Sequence, residues 1–203
     1  MNVTTSYITR LRSLLFLSTV PLCVGGCSVD KICYTPVDLS KPTPAREMKN
    51  ERIPLLEVYT LSEKKLQLPQ QFSKPITIAL FGFDRSAEKH VMSWIAHTEK
   101  NFANHEHVGV CKVAMVGPVN YITRWVVETS IRSNVNPQHA DSVYIYYGNL
   151  EPWKKLLNVQ HKHECHVLLL DKEGVIHAHY RGEISDDIVE KIAILEKKLN
   201  IIK

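Results

Sequence analysis

The sequence predicts an α/β fold in which a central mixed sheet carries helices on both faces and is closed by a C-terminal β-hairpin and a last helix. Two apolar runs, residues 76–83 and 107–116, alternate with segments whose apolar residues recur at helical spacing. Val167 to Leu170, the turn Asp171-Lys-Glu-Gly174 and the alternating stretch from Val175 to Tyr180 then read as strand, turn and strand. Gly182 and an acidic helix start follow. Alternating strands and helices imply right-handed parallel crossovers, and the hairpin supplies antiparallel strands.

Each element has its own warrant. Residues 55–60 alternate weakly and suit a strand, 62–65 turn it, and 66–68 give a short edge strand ended by Pro69. Residues 76–83 (ITIALFGF) are continuously apolar, which fits a strand covered on both faces. Over 84–102, Val91, Ile95, Thr98 and Phe102 recur at helical spacing beside Met92 and Trp94. Asp84 or Ser86 can cap this helix, and Glu88 suits its first turn. Residues 107–116 are valine-rich and carry Cys111.

Gly117-Pro118 predicts a helix with proline in its first turn, and Val119, Ile122, Trp125, Val126 and Thr129 form its apolar stripe. Residues 134–138 read as loop and 143–147 as a short strand. Glu151-Pro152 opens a short helix with Trp153, Leu156 and Leu157. The last helix starts at Ser185, with Asp186 and Asp187 explained by its first turn, and Ile188, Ile192, Leu195 and Leu199 form its stripe. Trp94, Trp125 and Trp153 lie on helical apolar faces and are expected to serve core or interface packing.

The N-terminus sets the expected location. Residues 1–26 hold Arg10, Arg12, a mostly apolar stretch over 14–24 and no acid, the pattern of an export signal. The apolar stretch is too short to span a bilayer, and Pro21 interrupts it. Residues 28–53, broken by Pro36, Pro42 and Pro44 and rich in charge from Lys41 to Arg52, read as a tether that cannot bury enough surface to fold alone. Cys33 lies in it. The formal net charge is +4, and loss of Arg10 and Arg12 with a leader brings the remainder near +2. That balance is too weak to argue for a nucleic-acid partner. Ten histidines are unusual, and most are expected on the solvated surface.

Val24-Gly25-Gly26-Cys27 resembles the lipobox of bacterial lipoproteins. The resemblance implies lipidation (palmitate or a similar chain) at Cys27 and cleavage before it. It also implies a lipid anchor in a bacterial cell envelope, with Ser28 pointing to the outer membrane facing the periplasm. The organisation expected is a signal peptide over 1–26, a lipidated cysteine and tether over 27–53, and a folded domain over 54–203. A plain signal peptide or an uncleaved anchor is the alternative.

Over about residues 54–200, the arrangement resembles the thioredoxin-like fold in its longer form with an added N-terminal strand. The stretch from Leu168 to Ile176 with Gly182 is similar to the hairpin of the peroxiredoxin and thiol-reductase branches, and Leu68-Pro69-Gln-Gln-Phe72 resembles the lead-in to their first core strand. Within the group the chain is similar to the ATP-synthase assembly factors of mitochondria. Leu68-Pro69, Phe72, Ser93-Trp94, the VYIYY run over 143–147, Leu156-Leu157 and the Leu-Asp-x-x-Gly turn carry that similarity. Those relatives lack a redox dithiol and act as chaperones in membrane-complex assembly. The resemblance also implies a cis-proline position just before the hairpin, and counting back from Asp171 puts Cys165 there. A cis bond is costly at any residue but proline, so trans is expected.

A thiol–disulfide enzyme needs an activated thiolate at the helix start after the first core strand. That place reads Phe83-Asp84-Arg85-Ser86-Ala87-Glu88, with no cysteine, and its two acids would raise a nearby thiol's pKa. His161, His163, Cys165 and His166 form H-x-H-x-C-H, a donor set suited to copper or zinc. In an extended segment the first three share one side and His166 the other, and His177 and His179 can join that first side from the next strand. Thioredoxin-like copper chaperones are a precedent, but their C-x-x-x-C motif is missing. Cys111 reads as a buried inert thiol, and a Cys111–Cys165 disulfide is open if their strands adjoin.

Three functional readings follow. The first is a redox-inactive, membrane-tethered protein that binds or assembles an envelope complex. The second is a copper or zinc delivery protein using the HKHECH segment. The third is a divergent thiol peroxidase or reductase using Cys111 or Cys165.

Overall fold

In chain order the elements are β1 (Thr43–Arg46), β2 (Leu56–Thr60), β3 (Lys65–Leu68), β4 (Ile76–Gly82), α1 (Glu88–Phe102), β5 (Val108–Met115), α2 (Tyr121–Asn134), β6 (Val143–Tyr146), α3 (Glu151–Leu157), β7 (Cys165–Asp171), β8 (Ile176–Arg181) and α4 (Asp187–Lys198). Short 3-10 turns at Arg85–Ala87 and Pro137–Ser142 lead into α1 and β6. The computed structural model describes residues 43–46, 48, 51–135, 137–199 and 201. The eight strands form one sheet in the order β1-β8-β7-β4-β5-β6-β2-β3. The α/β class expected from the sequence is the one observed.

The most apolar strand takes the central place. β4 runs parallel to β5 and antiparallel to β7, so its backbone is paired along both edges. Ile76, Ile78 and Leu80 enter one core layer, and Ala79 and Phe81 the other. The first layer is closed by Val91 and Trp94 of α1 and by Ile188, Ile192 and Leu195 of α4. The second is closed by Trp153 and Leu157 of α3, with Trp153 stacked on Phe81 at 5.4 Å. Met48, Ile53 and Phe72 also pack into it.

Helix α2 shares the face of α1. Lys112 of β5 reaches Glu88 of α1, so its side chain marks that face. Its cross-strand partner Val143 packs with Ile131 and Val135 at the end of α2. Two crossovers in the same direction along a sheet place their helices on the same side.

Three expectations change. Gly117 has φ +82°, a left-handed conformation that ends β5 instead of starting a helix. Asn120 is the cap, its Oδ1 accepting from the Thr123 amide at 2.9 Å, so α2 begins beyond Pro118. No residue of α2 is buried, and Tyr121, Ile122, Trp125 and Val126 are exposed. The stretch expected as loop over 134–138 holds the end of α2 and the start of a 3-10 turn.

The third change is at the N-terminus, where 28–53 was expected to be a tether. β1 pairs antiparallel with β8, Met48 and Ile53 are buried, and the Ile53 amide donates to Gly174 O at 2.9 Å. A polar segment that cannot fold alone can still close the unpaired edge of β8 with its backbone. The sheet therefore begins at residue 43. The leader, Cys27 and Cys33 lie outside the described residues, among which no helix is long and apolar enough to cross a membrane.

Candidate functional site

The end of the sheet where β4 passes into α1 gathers the side chains able to do chemistry or recognition. Asp84 is extended, and its Oδ1 accepts from the Ser86 amide at 2.8 Å and the Ser86 hydroxyl at 2.6 Å. The hydroxyl and then the amide hold its carboxyl below the usual range, which fixes it as an ionised cap. Ser86 thus donates to a cap whose lowered pKa makes it a weak base. One turn on, Glu88 Oε1 accepts from Lys112 Nζ at 2.7 Å. The Lys112 side chain is 11% exposed and that of Glu88 46%, so the ammonium is sheltered while its carboxylate faces water.

Cys165 lies beside this pair, opposite Gly82 in the β4–β7 ladder. It is fully buried, and among the described residues the cis peptide bond is Leu68–Pro69, leaving Cys165 after a trans bond as expected. Burial pushes its thiol strongly up, while Lys112 opposes and Glu88 reinforces the shift. Its carbonyl accepts from the Gly182 amide at 2.8 Å, and the Trp94 indole donates to Gly182 O at 2.9 Å. Gly182, at φ +68°, thereby ties the exit of β8 to both β7 and α1. Cys111 is buried too, and desolvation pushes it up to about 12. Both thiols are free and lie in different core layers on opposite sheet faces, so the disulfide left open by the sequence does not form.

The H-x-H-x-C-H segment is divided by the fold. His161 and His163 stack at 5.4 Å on the exposed loop before β7. The His163 carbonyl accepts from His90 Nδ1 at 3.1 Å, which assigns that proton to Nδ1. Cys165 turns into the α1/α4 layer, and His166 is buried on the opposite face against Phe83. There its Nδ1 lies 3.0 Å from His179 Nε2, with the rings stacked at 5.2 Å. Desolvation, then the His179 and Arg181 neighbours, pushes His166 down to about 3, so it is neutral. His177 joins neither group: its Nε2 donates to Asp171 Oδ2 at 2.7 Å. The four expected ligands are thus not brought together, and among the described residues no group of three or more His, Cys, Asp or Glu is placed to hold a metal ion.

The histidine expectation also changes: His161 and His163 are exposed, but His166 and His179 are core residues.

An open groove of about 710 Å³ starts at the Glu88–Lys112 pair and runs between α1 and the β5–β6 surface. Met92, Val110 and Phe102 give it apolar walls, and Asp141 and Tyr144 line its far side. The two described thiols, Cys111 and Cys165, both have raised pKa values. The sequence reading missed Lys112. A lone lysine inside a valine-rich strand was the available signal.

The fold is thioredoxin-like, as solved structures bear out. The protein described as BsSco, a member of the Sco family of cytochrome c oxidase assembly proteins, matches at TM-score 0.50 and 15% identity, over 74% of this chain and 96% of that one. A thiol-disulfide oxidoreductase from Bacteroides fragilis matches at TM-score 0.48 and 14% identity, over 71% and 99%. The exposed lipoprotein thioredoxin of Streptococcus pneumoniae matches at 0.45 and 13%, over 71% and 97%. At 15% identity the likeness to the Sco-family protein is one of fold. No protein-family model matches the chain, and no curated protein does.

Proposed function

We propose that this chain is a redox-inactive thioredoxin-like protein, lipid-anchored through Cys27, that binds and helps assemble a cell-envelope complex. The observation that carries the reading is the start of α1. The place where the fold would present a nucleophilic cysteine holds Asp84, Ser86 and Glu88, and the nearest described thiol, Cys165, is sealed with a raised pKa. What remains beside it is a sheltered ammonium, its carboxylate and an apolar groove, features that select a partner. The Val24-Gly25-Gly26-Cys27 pattern supports the anchor. The similarity to redox-inactive assembly factors supports a chaperone-like role.

The test combines two measurements on the full chain. Insulin reduction is expected to stay at the uncatalysed rate, and crosslinked membranes are expected to yield an envelope partner that a Lys112→Glu variant captures poorly. Disulfide turnover that a Cys165→Ala variant abolishes would overturn the redox-inactive reading. Radiolabelled lipid retained by a Cys27→Ala variant would overturn the anchor.

A further inference from the structure

The first turns of helix α2 face the sheet with their charges and the solvent with their apolar side, while Ile131 near its end packs on Val143 and Ile145. The Arg124 guanidinium lies 4.1 Å from the centre of the Tyr59 ring and 4.5 Å from that of Tyr147. Its Nε donates to Glu128 Oε1 at 2.8 Å, and the Tyr147 hydroxyl donates to the same oxygen at 3.0 Å. A charged residue clasped by two aromatic rings and a paired carboxylate therefore holds this helix to the strands. On its other side Tyr121 is 81% exposed, Ile122 73%, Trp125 62% and Val126 53%.

Those four side chains leave about 500 Å² of largely apolar surface uncovered, the size of patch that marks an interaction site. The only charges on α2 before Arg132 are Arg124 and Glu128, which neutralise each other against the sheet.

We propose that this face is a self-association surface, and that two copies of the chain pair through antiparallel α2 helices about a two-fold axis. Three features favour a second copy. The patch carries no free charge, so two identical patches meet without repulsion. Antiparallel packing sets opposite ends of the two helix dipoles side by side. Two patches together supply about 1,000 Å², the lower limit for a specific interface, so the dimer is reversible. An anionic bilayer is less well matched, because the exposed cation of α2, Arg132, lies beyond Val126 and is engaged, donating to Leu61 O at 2.7 Å. The inference stands apart from the proposed function.

The test uses the full chain carrying Cys27→Ala, so that no acyl chain contributes. Sedimentation velocity at rising concentration is expected to show a monomer–dimer equilibrium. Tryptophan emission is expected to shift to the blue in parallel, since Trp94 and Trp153 are already buried and Trp125 is not. Trp125→Lys and Ile122→Lys should each weaken the dimer at least about tenfold without lowering the thermal midpoint, as befits exposed anchors of an interface. Ile194→Lys, on α4 and also exposed, should leave it unchanged.

A monomer at every concentration would overturn the proposal. So would a dimer that both lysine variants form as readily as the parent. A monomer whose Trp125 emission shifts only on adding phosphatidylethanolamine–phosphatidylglycerol vesicles would assign the face to lipid and likewise overturn it.

Discussion

Helices α1 and α2 follow consecutive parallel strands, lie on one face of one sheet and carry comparable apolar stripes, yet they dock by opposite means. α1 buries Val91, Trp94, Thr98 and Phe102 against β4 and β5. α2 buries no residue fully and is held by Arg124, Glu128 and two tyrosines. The difference lies in the strands beneath. β4 and β7 offer isoleucine, leucine and valine, whereas under the first turns of α2 lie Tyr59 of β2 and Tyr147 just past β6, and the apolar Val143 and Ile145 of β6 meet Ile131 near its end. A helix turns its apolar stripe inward only where the sheet below is apolar. Tyrosine faces reward a guanidinium instead.

The comparison is most sharply tested at the two tryptophans. Trp94→Ala removes a buried indole and its bond to Gly182, and should cost about 3–5 kcal/mol in urea unfolding. A cost below about 1 kcal/mol would show that α1 does not carry the core.

Next comes acid. The core has no counter-charge beside His166, in contrast to the paired charges under α2. The His166 pKa is depressed in the fold, from 6.5 to about 3, so its contribution is fully present above pH 6.5 and is lost as pH falls towards 3. Between about pH 7.5 and 5 the loss should be about 2 kcal/mol, and His166→Phe should remove most of it, read by denaturation at both pH values.

Smaller again, Arg124→Ala leaves Glu128 with the Tyr147 hydroxyl but without its cation and should cost about 1–2 kcal/mol, read the same way. Least of all, Trp125→Ala should change monomer stability by no more than about 0.5 kcal/mol. A loss comparable to that at Trp94 would mean the outer face of α2 is packed after all.

Features set by local chemistry were legible in the sequence. The β4 run, the α1 stripe, the Asp171–Gly174 turn and the Ile188, Ile192, Leu195 face of α4 all appear where expected, whereas Asp84 caps the 3-10 turn before α1 and not α1 itself. So did the missing cysteine at the start of α1.

What depends on a distant partner was not legible. β1 lacks an apolar signature, because it is placed by backbone bonds to an edge. The His166–His179 contact is a diagonal across the β7–β8 ladder, whose register shifts between Leu169 and Leu170, and a two-residue count along one strand cannot locate it. The orientation of α2 was invisible for a similar reason. Periodicity reports a stripe but not the surface awaiting it.

The short β1 strand has a mechanical consequence. A pull applied at Thr43, the residue paired with Arg181, loads a four-residue ladder of irregular register before it reaches the core. The next fixed points are the buried Met48, the Ile176 amide bond to Glu51 O and the Arg52–Val175 bridge. Peeling β1 from β8 leaves the other strands of the sheet paired, so the domain can yield at that edge without opening its core.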